Sequence, residues 1–471
     1  MKEINNKLAL KAGSWYIISN FAVKSISIIT TPIFTRLLST TDFGITNTYS
    51  SWLGIFTILG TLDIYSCVQI ARHDYNDKEM DAFISSVLSV SSFSTILLYL
   101  IIKIFGDTAI SFIGLPPILI DIMFLEILFS NAFTILQTRH RAEFKYKEFV
   151  ILSAMIAILS PILSIVLVSL QNSHLYFGKI LGNTIPKIII SIFIFIHIMK
   201  KGKCVYKKDY WKYALIISVP LIPHHLSGNI LNHFDKIMIN QYVSASDTGL
   251  YSLAYSYASV LSIAWTSFNQ AWTPWFYGKM KEKNIQEIKR FAKPYTIAFS
   301  GIFIGMLFLG PEAIKFFAPK EYWGAKWVVP PVLLGLFFQF VYSLYVNVEF
   351  YYKKTQFIAI GTVMAAILNI VLNYIFIPRY GYLAASYTTL AGYIAIFVFH
   401  YPISKKWDKR DLYGEKFIFS WIFLMIGVTI TATIFYNTLF VRIVLLLAVF
   451  GILLIRNKNQ LLEMIRSLRK K

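Results

Sequence analysis

Charge is scarce in this sequence. Only 15% of its 471 residues are Asp, Glu, Lys or Arg, where soluble globular proteins carry about 25%. Acidic side chains are the rarer sign: 24 stand against 45 basic ones, a formal charge of +21. There are 2 cysteines, too few for a disulfide framework. Cys67 falls in an apolar run and Cys204 in a basic loop, so no bridge between them is expected. Disorder and collagen-like repeats are excluded by a hydrophobic fraction of 56%. What the sequence has in abundance is apolar runs of roughly twenty residues, each long enough to cross a bilayer.

About fourteen such spans can be placed, beginning near residues 13, 44, 82, 115, 149, 176, 213, 249, 294, 327, 356, 381, 417 and 439. The predicted fold is therefore an all-α integral membrane protein. Most of the Lys and Arg residues fall in connections on the side of the N-terminus, richest in residues 200–212, 279–293 and the tail 456–471. That bias orients both termini toward the cytoplasm. It also assigns the charge to anionic lipid headgroups rather than to nucleic acid. The first span carries Lys24 near its middle and is too polar for a cleaved signal, so it reads as an uncleaved anchor. Outer connections are short, the longest lying around residues 310–326, and none has room for an extracytoplasmic domain.

The strongest signal is an internal repeat. Ser39, Asp42 and Gly44 open the second span; Ser244, Asp247 and Gly249 open the eighth, 205 residues later. Both fit a serine helix cap with an acid in the first turn. Upstream, Asn20, Lys24, Ser27, Thr31 and Thr35 share one helical face. The same offset gives His225, Asn229, Asn232, Lys236 and Asn240, again polar and on one face. Downstream, Ser50, Gly54, Thr57 and Thr61 map onto Tyr255, Ser259, Ser262 and Thr266. Two six-helix lobes in parallel repeat are predicted, residues 1–204 and 205–404. Residues 405–471 add two further spans and a basic cytoplasmic tail.

An unpaired polar group in hydrocarbon costs several kcal/mol, so two long polar stripes must face each other or water. A single Ser or Thr can bond back to its own helix. Lys24, Lys236, Asn229 and Asn232 cannot all be absorbed that way. With Lys187, Asn183 and Lys179 on span six they predict a water-filled cationic cavity between the lobes. Fewer acids lie in the spans: Asp63, Asp121, Glu126, Asp235 and Glu349. Asp235 compensates Lys236 locally. Glu126 either pairs with a cavity lysine or carries a proton. Between Pro223 and Gly228 a helix break is expected, with His225 as a lining residue and proton carrier and His224 as a packing group. Adjacent histidines point to different faces and do not chelate, so no metal site is expected.

No phosphate-loop pattern, metal-ligand motif or nucleophile elbow is present in the sequence, and a transporter without cofactor is the economical expectation. At this point a resemblance can be stated. The run Pro32-Ile33-Phe34-Thr35-Arg36-Leu37-Leu38-Ser39-Thr40-Thr41-Asp42-Phe43-Gly44 resembles the first-to-second-span signature of bacterial polysaccharide flippases, the O-antigen and capsule repeat-unit translocases. These share a superfamily with multidrug extrusion pumps. Asp235, Lys236 and Asn240, then Ser244 through Tyr255, resemble the seventh-to-eighth-span region. Ile377-Pro378-Arg379-Tyr380-Gly381 with Ala384 and Ala385 resembles the eleventh-to-twelfth-span turn. Family members often have twelve spans, against about fourteen counted here.

The resemblance implies a cargo: an oligosaccharide linked through diphosphate to undecaprenol, moved across the bacterial inner membrane by alternating access. Lys24, Lys187, Lys236, Arg36 and Lys179 are the candidate diphosphate contacts. Asn20, Ser27, Thr31, His225, Asn229, Asn232, Asn240 and Tyr255 are candidate lining groups, while Tyr251, Trp265 and Trp272 are candidates for stacking on sugar faces. Asp63, Glu126 and His225 are candidates for ion coupling. Beyond the cargo and membrane lipids, a polysaccharide polymerase and a chain-length regulator are implied partners. A drug–cation antiporter of the same superfamily would prefer an acidic cavity. A membrane enzyme, whether a glycan polymerase, glycosyltransferase or acyltransferase, is the other alternative; polymerases and lipid-linked sugar transferases would show a large outer loop bearing Arg, His or Asp.

Overall fold

Helix caps and helix breaks organise the chain. The computed structural model describes residues 6–451, with side chains from Lys11 onward, and every regular element in that range is helical. The basic tail 456–471 lies outside the described residues. Two compact units result, Met1–Gly249 and Leu250–Lys471.

The first unit holds α1 (Asn6–Leu37), α2 (Thr40–Thr61), α3 (Tyr65–Asp74), α4 (Asp77–Ile113), α5 (Pro117–Ala142), α6 (Tyr146–Ser169), α7 (Leu175–Gly202), α8 (Lys208–Ser218) and α9 (Ile222–Tyr242). It also takes the first residues of α10 (Ala245–Lys281). The second unit holds the rest of α10, then α11 (Ile285–Phe308), α12 (Gly310–Phe317), α13 (Val329–Tyr351), α14 (Thr355–Tyr380), α15 (Tyr382–Trp407) and α16 (Glu415–Ile434). A last helix, Leu439–Gly451, runs to the end of the described residues. Helices α8 and α9, placed by sequence in the second lobe, pack on α2, α3 and α4 of the first unit.

Among the described residues eleven helices are long and apolar enough to cross a membrane, and the bent pair α2–α3 makes a twelfth. The chain is thus a multi-pass membrane protein. Fourteen crossings were expected. The two not matched on length and composition are α10, 37 residues long but rich in Ser, Thr and Tyr, and the short helix Leu439–Gly451. That last helix is tied down by Arg442, 2% exposed, whose guanidinium meets both oxygens of Glu312 at 2.6 Å. Residues 310–326, expected as a connection, form α12 and a 3-10 stretch, Lys320–Val328.

The two serine caps form as their sequence predicts. Ser39 Oγ accepts from the Asp42 amide (3.1 Å) and donates to its carboxylate (2.6 Å); Ser244 and Asp247 repeat the pattern at 3.0 and 2.6 Å. The capped ends also touch. A Cβ on Gly44 would overlap the carbonyl oxygen of Ala245, and one on Gly249 would overlap that of Thr40. Thr40 Oγ1 lies 2.7 Å from Ser246 Oγ. Residues 40 and 245 are themselves repeat equivalents, as are 44 and 249, so the contact is reciprocal.

Two breaks interrupt the first unit. Leu62 and Asp63 both have positive φ, 54° and 52°, and α2 and α3 meet there at 41°. In the seventh span, α8 stops at Ser218, a 3-10 turn covers Val219–Leu221 and α9 resumes at Ile222. Pro220 and Pro223 account for this, since neither can donate a backbone hydrogen bond. The break lies before the histidines, not across them as expected: Pro223 fits the first turn of α9, and His224 and His225 are already helical.

Candidate functional site

Both breaks deliver polar groups to the same place. Asp63 is fully buried in the α2–α3 elbow. Its Oδ2 accepts from Ser66 Oγ at 2.6 Å and lies 2.7 Å from Nδ1 of His225 on α9. Its Oδ1 is buried and makes no hydrogen bond among the described residues. The His225 side chain stays 34% exposed, so the pair has one dry carboxylate and one partly accessible imidazole.

A second centre joins α2, α5 and α7. Glu126, 4% exposed, accepts three contacts: from Lys187 Nζ at 2.9 Å, from Thr184 Oγ1 at 2.8 Å and from Tyr49 OH at 3.1 Å. Thr184 and Lys187 stand three residues apart on α7 and so share a face. A carboxylate in this setting is tolerable because it is both paired and hydrogen-bonded. The Lys187 side chain keeps 31% of its surface exposed, leaving ammonium hydrogens free to meet a ligand.

The α9 stripe lies along α2. Asn229 Oδ1 would come within 2.8 Å of a Cβ at Gly54, so the absence of a side chain there admits the amide. Asn232 donates to the Gly228 carbonyl at 2.7 Å and Asn240 to the Gly114 carbonyl at 3.1 Å. Lys236 is half-buried on the same helix, beside the buried Asp235.

The other predicted residues are placed as follows. Asn20, Lys24 and Ser27 are exposed on α1, while Thr31 is buried and bonds back to the Ser27 carbonyl at 2.9 Å. Arg36 is exposed and donates to the Pro32 carbonyl at 2.7 Å. Lys179 sits over the ring of Phe34, 3.1 Å from its centre, a cation–π contact. The structure therefore brings Lys187 together with Glu126, the pairing of that acid with a span lysine that the sequence allowed, and joins two of the ion-coupling candidates, His225 and Asp63. It leaves Lys24 and Arg36 outside both centres. In the second unit Tyr255 is half-buried with its ring 5.0 Å from that of Tyr251. Tyr251 and Trp272 are buried, and Trp272 stacks on Tyr295 at 4.3 Å. Trp265 donates to Ser343 at 3.3 Å. In this structure Tyr251 and Trp272 are packing residues, not open platforms for sugars.

Sequence reasoning missed Tyr49, Thr184 and Ser66, hydroxyls whose type is too common in spans to mark them. It also missed His400 on α15, whose Nδ1 is 2.8 Å from Glu349 on α13, both fully buried. A signal existed there: a histidine deep in an apolar span needs a partner.

Among known proteins, residues 9–278 match the model of a family described as polysaccharide biosynthesis protein. A Haemophilus influenzae protein named for the Lsg locus is 20% identical over 367 residues, 75% of this chain and 88% of that protein. Among solved structures, the lipid II flippase MurJ in an inward closed conformation superposes with a TM-score of 0.63 at 18% identity, covering 91% of this chain and 99% of its own. An inward-facing multidrug resistance MATE family transporter of the MOP superfamily gives 0.60 at 12% identity, covering 83% and 97%. At these identities the likeness to the solved structures establishes the fold.

Proposed function

Because the chain belongs to the polysaccharide biosynthesis protein family, we propose that it is a flippase for oligosaccharide repeat units linked through diphosphate to undecaprenol. It carries them from the cytoplasmic to the outer leaflet of a bacterial inner membrane, with both termini cytoplasmic. The cargo feeds an O-antigen or related surface polysaccharide, and a polymerase and chain-length regulator are its partners.

The observation that carries this reading is the Glu126 network. Lys187 is held at mid-span by a buried carboxylate, yet a third of its side chain is open. Each sugar hydroxyl stripped of water without a new partner costs a few kcal/mol, so a repeat unit does not cross unaided. Asn229, Asn232 and His225 on α9 offer replacement hydrogen bonds, and Lys187, Lys236 and Lys24 offer charge for the diphosphate. The isoprenoid stays in lipid. Glu126 keeps Lys187 oriented between substrates, so charge is neutral when the site is empty and a diphosphate brings its own compensation. The Asp63–His225 pair is the ion carrier: a proton taken by His225 changes its bond to Asp63 and so the angle between the two breaks.

The test is reconstitution. Vesicles containing the protein should move a fluorescent undecaprenyl-diphosphate saccharide between leaflets, and Lys187→Ala should slow this tenfold or more at equal protein content. Vesicles no faster than protein-free ones, together with no inner-leaflet saccharide building up in cells lacking the protein, would reject the reading.

A further inference from the structure

A cavity of about 130 Å³ opens away from both centres, at the end of the first unit where α4 begins and α5 and α7 end. Its lining combines Arg139, Lys145, Lys201, His140 and His197 with a single carboxylate, Asp81. One water needs only about 10–15 Å³ on this kind of measure, so the space takes a group the size of a tetrahedral oxyanion.

The charges are arranged around a rigid base. Arg139 is mostly buried and fixed by Asp81 at 2.5 Å and Glu143 at 2.7 Å. The two lysines are different. Lys201 reaches Asp81 only at 3.3 Å with half its side chain exposed, and Lys145, also half exposed, is 2.6 Å from Glu143. Basic residues at helix ends such as those of α5 and α7 commonly offset the helix dipole. That explains the charges but not a cavity between them. Nor does it explain His140, whose Nδ1 is buried with no hydrogen-bond partner among the described residues, where buried polar atoms are nearly always satisfied.

We propose that this cavity is a binding site for a phosphate-bearing group, with Arg139 as its floor, Lys145 and Lys201 as mobile clamps and His140 as a further donor. His140 lines the cavity and can turn a ring nitrogen toward a phosphate oxygen, and the anion offsets the crowding of three cations. The chemistry fits either the diphosphate of the cargo or the phosphate of an anionic lipid headgroup. Only the first assignment rests on the flippase reading. In that case the site is a waiting position where the headgroup docks before entering the span interior.

The experiment uses the full-length protein in phosphatidylcholine nanodiscs. In one arm inorganic pyrophosphate is titrated calorimetrically; in the other, phosphatidylglycerol replaces part of the lipid and its retention is read by native mass spectrometry. Lys145→Gln/Lys201→Gln should bind about tenfold more weakly for each lysine lost, the order expected of one charge-assisted contact. His140→Ala should weaken binding by a smaller factor. Both variants must still melt cooperatively without ligand, so that lost affinity is not lost fold; giving up the half-exposed Lys145–Glu143 pair lowers the melting temperature only slightly. Lysine-dependent pyrophosphate binding identifies the cargo's diphosphate as the source, and lysine-dependent retention of phosphatidylglycerol alone identifies a headgroup. Wild-type affinity in the double variant, or no saturable binding by wild type in either arm, overturns the site. Because binding is measured on the resting protein, it can fail while flipping persists, and flipping can fail while it holds.

Discussion

The Glu126–Lys187 pair makes the sharpest demand on the structure. Lys187→Met removes the ammonium and leaves a carboxylate, 4% exposed, with two hydroxyl donors. Breaking one side of a buried pair costs about 3–5 kcal/mol. Here the lower end of that range applies, about 3 kcal/mol, because Thr184 and Tyr49 still donate to the carboxylate. Glu126→Gln keeps an acceptor for Thr184 or Tyr49 but strips Lys187 of its counterion. The 31% exposure of that side chain lets the ammonium turn toward solvent, so roughly 1–3 kcal/mol is expected. The double variant removes both charges and should lose far less than the two losses added, with a coupling of about 1–3 kcal/mol. Unfolding by sodium dodecyl sulfate in mixed micelles, on all four proteins, reads this out. Losses additive within about 0.5 kcal/mol would show that the two groups do not meet in the folded protein. Flipping separates structure from function: on the proposed function the double variant should fold and still fail to move cargo, because Lys187, the proposed diphosphate contact, has lost its charge.

Two further outcomes follow from the same coordinates. Gly44→Val and Gly249→Val each force a side chain into a carbonyl oxygen of the facing helix end and should lose at least about 2 kcal/mol; similar losses for the two, read by thermal melting in detergent, are required by the reciprocal contact, and a harmless substitution at either would deny it. Burial pushes the Glu143 carboxyl up, but hydrogen bonds from Lys145 and Arg139 outweigh it and hold the group below its usual range. Its stabilisation is therefore complete above the ordinary glutamate value near ~4.3 and fades as pH falls through the lower folded value, so Glu143→Gln should flatten the acid limb of the unfolding curve, and parallel curves would refute the assignment.

What could be read from the sequence was what is local. Ser39 with Asp42 and Ser244 with Asp247 form their caps within four residues, so spacing alone found them. Pro223 announced a break in the seventh span, but proline is tolerated in a first turn, and the break fell one turn early, around Pro220. The elbow at Leu62 and Asp63 carried no such notice. Neither residue is Gly or Pro, and both take a positive φ that other side chains seldom adopt; only the bond from Asp63 to His225, 162 residues away, makes sense of it. The sequence placed a span near residue 249, where α10 runs for 37 residues, although its Ser, Thr and Tyr keep it below the apolarity of the other spans.

The pairings were the least legible part, and the reason is stoichiometric. Over the whole chain 45 basic residues stand against 24 acidic ones, so most bases have no acid of their own and a lysine's surroundings cannot be inferred from the lysine itself. The acids are the scarce members, and in hydrocarbon each must find a base. Asp63 holds His225, Asp121 holds Lys103 at 2.5 Å, Glu126 holds Lys187 and Glu349 holds His400. An acid-first search would have asked which base each carboxylate recruits, and would have led to His400, which a search for cations passed over. It also divides the cations by role. Those claimed by an acid are fixed and can be re-used only in exchange for another anion, as with Lys187. Lys24, exposed on α1 and claimed by no carboxylate among the described residues, is free to follow a moving diphosphate. On the proposed function, charge would serve transport as well as folding: the anchored Lys187 would mark where the anion rests, and Lys24 would mark how it leaves.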